Sequence, residues 1–315
     1  MTETVANLAF VFPGQGSQSV GMLSELAAAH PEVRQTFDEA SQGAGCNLWA
    51  LSQEGPSEEL NKTEFTQPAL LAAGVAVWRV WNKLGGARPA RLAGHSLGEY
   101  TALVCAGTLS LHDGAALVAE RGRLMQAAVP VGVGGMAAVL GGDDARIAAI
   151  CAEESGDQVV SAANFNAPGQ VVIAGHAEAV DRVLARLAGE GVKKAVKLAM
   201  SVPSHCELMR DAAEKLAQHM HGITWHKPAL PVVQNADAAV QEDLDAVRDA
   251  LRRQLFMPVR WTECVQVLAA DGITALGECG PGKVLTGLAR RIDRSLEARA
   301  LGMPDALEAA RAEWA

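Results

Sequence analysis

Gly94-His95-Ser96-Leu97-Gly98 is the stretch of this 315-residue chain whose residue types and spacing most clearly imply chemistry. It fits G-x-S-x-G. A short apolar strand is predicted over 91–94 before it, and an apolar helix after it, to about residue 107. In that setting the serine stands on a cramped strand-to-helix turn with its hydroxyl exposed, and the flanking glycines tolerate the crowding. The N–H of Leu97 then faces the oxyanion formed when Ser96 attacks a carbonyl, and the helix N-terminus adds positive potential. A hydroxyl nucleophile needs a base. His30, His112, His219, His221 and His226 fall in polar segments, His176 opens a helix in a different unit, and His95 should point away from its neighbour. His205, placed at the start of a predicted helix over 204–220, remains as the general base. No acid between Ser96 and His205 falls at a strand end of the main sheet. Either a neutral group orients the histidine, or the hydrolase pattern stops at two residues.

Other segments complete or mimic this site. Pro13-Gly14-Gln15-Gly16-Ser17-Gln18 follows the first predicted strand. A dinucleotide loop would need Gly where Ser19 stands, so the better use of this loop is to supply a second oxyanion N–H. Gly277 to Lys283 spells G-x-x-x-x-G-K, but Val284 cannot hold Mg²⁺ and Pro281 removes a cradle N–H, so this is read as a tight turn with Pro281 opening a helix. Arg121 lies on a largely apolar helix and needs an anionic partner, either a ligand or an acid such as Glu120 or Glu99.

These residues need elements to hold them. An apolar run over 7–12 reads as a buried strand, and helices follow, one starting near Pro56 with Ser57 as cap and one spanning 68–84. Asp113 is the expected cap of a helix reaching about residue 129. The middle of the chain reads strand 136–140, helix 143–155 capped by Asp143, strands 159–163 and 170–174 joined by a loop over 164–169, helix 177–189 and strand 193–198. That βαββαβ order is ferredoxin-like. Afterwards the βα rhythm resumes: strands near 230–234, 273–276 and 298–301, helices near 244–256, 259–270 and 281–292. The fold class is α/β. A large catalytic domain with a parallel sheet (1–129 and 200–315) holds an inserted small domain (130–199).

Composition bounds the function. The apolar fraction is 49%, enough for a substantial core, while a net charge of −9 and 4% aromatics argue against a nucleic-acid surface. There is no signal-peptide pattern and no apolar run of membrane-spanning length, so a cytoplasmic location is expected. The six cysteines are scattered without a C-x-x-C pair, as for reduced thiols.

Four motifs occur in a telling order: Phe12-Pro13-Gly14-Gln15-Gly16-Ser17-Gln18, Gly94-His95-Ser96-Leu97-Gly98-Glu99-Tyr100, Val202-Pro203-Ser204-His205 and Gly280-Pro281-Gly282. Over about residues 7–302 the chain resembles bacterial malonyl-CoA:acyl-carrier-protein transacylases of type II fatty-acid synthesis. Leu60-Asn61-Lys62-Thr63, Gln67-Pro68-Ala69-Leu70 and Asn164-Phe165-Asn166 match as well.

The resemblance implies an α/β-hydrolase-like large domain and ping-pong transfer. Malonyl-CoA would acylate Ser96, and the phosphopantetheine thiol of acyl carrier protein would then take the malonyl group. It also implies that the N–H groups of Gln15 and Leu97 form the oxyanion hole, that His205 is oriented by the main-chain carbonyl of Gln254, that Arg121 clamps the malonyl carboxylate, and that Asn164 lines the cleft. No metal and no bound cofactor are implied, and the chain is expected to be a monomer. An acidic carrier protein would need a local basic patch, with Lys193, Lys194 and Lys197, or Lys283, Arg290, Arg291 and Arg294, as candidates. The readings left beside this one are a discrete acyltransferase of a polyketide pathway, a serine thioesterase on the same scaffold, and a noncatalytic carrier-binding subunit.

Overall fold

The computed structural model describes residues 4–192, 194–198 and 202–314. Ten strands occur in chain order: β1 (Thr4–Phe12), β2 (Arg88–Gly94), β3 (Gly134–Leu140), β4 (Val160–Ala167), β5 (Gln170–His176), β6 (Lys194–Lys197), β7 (Val232–Gln234), β8 (Ala239–Val240), β9 (Ala275–Glu278) and β10 (Glu297–Ala300). They form a mixed α/β fold with two separate sheets. The larger is parallel-rich, in the order β10-β9-β1-β2-β7-β8, with only β8 antiparallel to its neighbour. The smaller is antiparallel, in the order β4-β5-β3-β6.

The apolar run of β1 is continuous because both of its faces are covered. Leu8, Phe10 and Phe12 point into one core cluster, and Ala9 and Val11 into another. The helix Thr63–Lys83 is apolar nearly all round for the same reason: 15 of its residues are buried. In the small sheet, Ala137 and Val139 face the helices Asp144–Glu154 and Ala177–Gly189. Met136 faces the other way, onto Cys206 of the large unit. A further link joins the sheets: Val259 N donates to Ala163 O (2.9 Å) and Phe165 N to Val259 O (3.0 Å). All six cysteines are free thiols.

Several local expectations are corrected. The helix expected from Pro68 begins at Thr63, so Pro68 lies inside it rather than opening it. Ser57 is the first residue of its helix, with Pro56 as cap. Ser110, not Asp113, caps the helix Leu111–Ala128, its Oγ accepting from Asp113 N (3.0 Å). The loop expected over 164–169 is mostly strand, because β4 runs to Ala167 and leaves only Pro168 and Gly169 to turn. Pro281 does not open the last sheet-flanking helix. That helix starts at Val284 and is capped from a distance by Glu278, whose carboxylate accepts from Leu285 N (3.0 Å) and Thr286 N (2.7 Å). β8 was not expected, since two residues carry no readable pattern. Lys193 and Ser201 lie outside the described residues.

The turn after β2 is packed main chain against main chain. A Cβ on Gly98 would meet Phe12 O at 1.9 Å, whereas a Cβ on Gly16, at φ +104°, would meet nothing within 4 Å. Gly98→Ala is therefore expected to destabilise the protein by about 3 kcal/mol or more, since a backbone carbonyl in a sheet has no room to yield. Gly16→Ala should cost only about 1–2 kcal/mol, the penalty of a left-handed residue. Urea denaturation of both variants checks the ranking.

Candidate active site

Ser96 sits where β2 ends and the helix Leu97–Cys105 begins, at φ 51° and ψ −107°. Ties from other elements hold it in this unfavourable conformation. Ser96 N donates to Asn235 Oδ1 (2.7 Å), and Gln254 Nε2 donates to Ser96 O (3.0 Å). Asn235 follows β7 and also donates from Nδ2 to Gly94 O (2.7 Å). Because the serine's own N–H is engaged, the donors left to face a developing oxyanion are those of neighbouring residues. Gln15 and Leu97 both line the cavity over Ser96.

His205 is not on a helix. It stands in the loop before the 3-10 turn Glu207–Met209, at φ 62°, with its N–H on Leu255 O (3.0 Å). Its Nε2 lies 2.7 Å from Ser96 Oγ, and its Nδ1 lies 2.7 Å from the main-chain oxygen of Gln254. A carbonyl can only accept, so the ring proton is on Nδ1 and Nε2 offers its lone pair to the hydroxyl. A neutral group thus orients the histidine, and the missing acid is explained. Burial, followed by the positive charge of Arg121, lowers the imidazole pKa to about 3.

Arg121 is 1% exposed and makes no ion pair among the described residues. Its Nη1 donates to Gln67 Oε1 (2.8 Å). Its Nη2 donates to Gln254 Oε1 (3.0 Å) and Ser96 Oγ (3.2 Å), and Tyr100 lies beneath it with its ring centroid 5.3 Å away. The expected acids are engaged elsewhere. Glu120 takes Arg123, while Glu99 accepts from Gln254 Nε2 (2.9 Å) and Asn235 N (2.7 Å). Burial raises the Glu99 carboxyl to about 7, against these donors and the Arg121 charge, which favour ionisation.

Ser96, His205, Arg121, Gln15, Leu97 and Asn164 meet in one cavity of about 140 Å³, closed by apolar side chains that include Met125, Met136, Val172 and Leu198. A second space of about 150 Å³ continues past Gln15, His95 and Asn166 to Val284 and Leu288. His95 turns from Ser96 and donates from Nε2 to Asn166 Oδ1 (2.7 Å). Asn164 is held in β4 beside the link to Val259. The arrangement can deprotonate a serine hydroxyl beside a fixed cation. Sequence reasoning gave no role to Gln67 or Asn235, and offered Glu99 only as a direct ion-pair partner of Arg121, which it is not. Gln67 and Glu99 lie within quoted motifs, but Asn235 carries no local signal. The basic candidates lie away from this cavity. Lys194, Lys197, Lys283, Arg290, Arg291 and Arg294 are exposed, and Lys197 pairs with Asp181 (2.5 Å).

The family model described as "Acyl transferase domain" matches residues 9–303. The chain is 58% identical over 306 residues to the malonyl CoA-acyl carrier protein transacylase of Salmonella typhimurium, covering 97% of this chain and 99% of that protein. It is similar over the whole of both chains to the crystal structure of a malonyl-CoA:acyl carrier protein transacylase from Xanthomonas oryzae pv. oryzae, at 65% identity and TM-score 0.98. A malonyl-transacylase in complex with a type II PKS acyl-carrier protein is 53% identical, with TM-score 0.96 and 98% and 99% of the two chains covered.

A base that is already neutral should be insensitive to mild acid. Labelling of Ser96 by a fluorophosphonate, followed by intact mass, is expected to slow by less than about threefold between roughly pH 7 and pH 5. An imidazole at its ordinary pKa would lose about twentyfold of its neutral form over that range.

Proposed function

Because this chain belongs to the acyl transferase family and transfers malonyl groups from malonyl-CoA to acyl carrier protein, we infer that Ser96 is the residue that carries the malonyl group between them. The observation carrying this reading is the 2.7 Å contact from Ser96 Oγ to the lone pair of His205 Nε2. His205 takes the hydroxyl proton as Ser96 Oγ bonds to the thioester carbon. The oxyanion is held by the N–H groups of Gln15 and Leu97. Collapse breaks the carbon–sulfur bond, and the departing CoA sulfur takes the proton from His205. In the second half, the carrier's phosphopantetheine thiol gives its proton to His205 and attacks the ester, and Ser96 Oγ recovers a proton as it leaves. Arg121 receives the malonyl carboxylate in a two-pronged ion pair, and Asn164 shapes the cleft.

The setting of His205 also limits its strength as a base. An imidazole oriented by a carbonyl instead of a carboxylate, and depressed by Arg121, is a weak base. The relatives matched over nearly the whole chain are malonyl CoA-acyl carrier protein transacylases. This argues against the thioesterase reading.

We also keep the finer architecture as our reading: an α/β-hydrolase-like unit of 1–129 and 200–315 around a ferredoxin-like insert of 130–199. The βαββαβ order of the insert and its separate sheet support it. The enzyme would act in the cytoplasm as a monomer, without metal or bound cofactor, to supply fatty-acid synthesis. Among the described residues no helix is long and apolar enough to cross a membrane. The carrier would dock through Lys193 and Lys194 or through Arg290 and Arg291.

Incubating Ser96→Ala with malonyl-CoA should give no covalent malonyl adduct by intact mass and peptide mapping. An adduct of wild-type yield on that variant refutes the nucleophile. Arg121→Ala should lower malonyl acylation by about a hundredfold or more, in line with about 3–5 kcal/mol for a broken buried ion pair. It should leave acetyl acylation far less affected, and competition between malonyl-CoA and acetyl-CoA measures the difference.

A further inference from the structure

Glu99 is wholly buried in the first turn of the helix Leu97–Cys105, yet it touches no cation directly. Its Oε2 accepts from Asn235 N (2.7 Å) and Gln254 Nε2 (2.9 Å), and its Oε1 from Gln234 Nε2 (3.4 Å). All three partners are N–H donors, which favour the ionised carboxylate against the opposing effect of burial. The other end of the Gln254 amide, Oε1, accepts from Arg121 Nη2 (3.0 Å). One amide thus stands between a buried carboxylate and a buried guanidinium and bonds to each. Arg121's other terminal nitrogen rests on a second neutral acceptor, Gln67. Buried opposite charges ordinarily close on each other, because each is costly alone. Here they are held apart by a side chain with the right donor at one end and the right acceptor at the other.

We propose that Glu99 is a specificity-determining residue acting through Gln254: it is the counter-charge of Arg121, set one amide away so that the guanidinium is supported inside the protein yet left unpaired for the carboxylate of the acyl group. The proposal rests on the reading of Arg121 as the carboxylate clamp. A direct ion pair at Gln254's position would compete with the substrate for the same N–H groups. With no counter-charge at all, Arg121 would be costly to bury, and the incoming carboxylate would be its sole charge partner. Glu99 tunes the preference between these extremes.

The two ends of the amide can be tested with near-isosteric changes in the full-length enzyme. Glu99→Gln removes the charge, and its amide can keep hydrogen bonds to Asn235 N and Gln254. Gln254→Glu brings a carboxylate onto Arg121 and leaves intact the main-chain oxygen that orients His205. The readouts are kcat/KM for acylation by malonyl-CoA and by acetyl-CoA, and the rise in melting temperature caused by free malonate. Glu99→Gln is expected to melt lower alone, to raise the malonyl-to-acetyl ratio by roughly tenfold and to respond more strongly to malonate. Gln254→Glu is expected to lower that ratio by roughly tenfold or more. A residue that merely packs would lower the melting temperature and move neither the ratio nor the malonate response. A ratio that stays the same or falls in Glu99→Gln overturns the proposal, and so does an unchanged ratio in Gln254→Glu should the first variant fail to fold. Arg121→Ala separates the two readings. If it keeps the malonyl preference, the clamp itself is wrong. If it loses that preference while the Glu99 and Gln254 variants keep theirs, only the relay is wrong.

Discussion

The backbone of Ser96 is held at φ 51°, ψ −107°, and much of the surrounding structure exists to keep it there. Such a conformation costs on the order of 1–3 kcal/mol and persists only when its neighbours over-determine it. Gly94 and Gly98 let the two arms of the turn touch: a Cβ on Gly94 would meet Gly98 C at 1.9 Å. Asn235 and Gln254 then bind the peptide groups on either side of the serine. His205 carries the same kind of strain, at φ 62°. Gln254 ties the two together, reaching Ser96 with its side chain and His205 with its carbonyl. One residue at the end of one helix therefore fixes the distance between the reacting atoms.

The electrostatics follow from the same packing. A histidine and an arginine, both buried, share one cavity, and only one of them can be charged cheaply. Arginine keeps its proton because its intrinsic pKa is so high. The imidazole yields and stays neutral, as a base must. Two amide oxygens, from Gln67 and Gln254, hold the terminal nitrogens of the guanidinium without cancelling its charge. Polar side chains here do what a carboxylate would overdo.

Most of the layout was legible in the chain because apolar periodicity and the glycine-flanked turn are local. Buried strands such as β1 announce themselves by continuous apolar residues, and the nucleophile by its immediate neighbours. Helix starts were less legible. Capping depends on which side chain reaches back, so Ser110 displaced Asp113, and Glu278 capped a helix it does not belong to. The pairing of Ser96 with His205 was inferred by elimination, but its geometry depends on contacts 49 and 109 positions apart in sequence. Asn235 was invisible, since an asparagine after a short strand has no pattern until the turn it supports is seen from the side.

The main-chain bonds between Val259 and β4 tie the antiparallel unit to the rest of the chain, where its residues form one wall of the cavity. Met136 of the same unit is seated on Cys206. Evolution toward branched or longer acyl groups on this scaffold would therefore proceed by trimming the side chains that stud the chamber, Met125, Val172 and Leu198 among them, and not by loosening the frame.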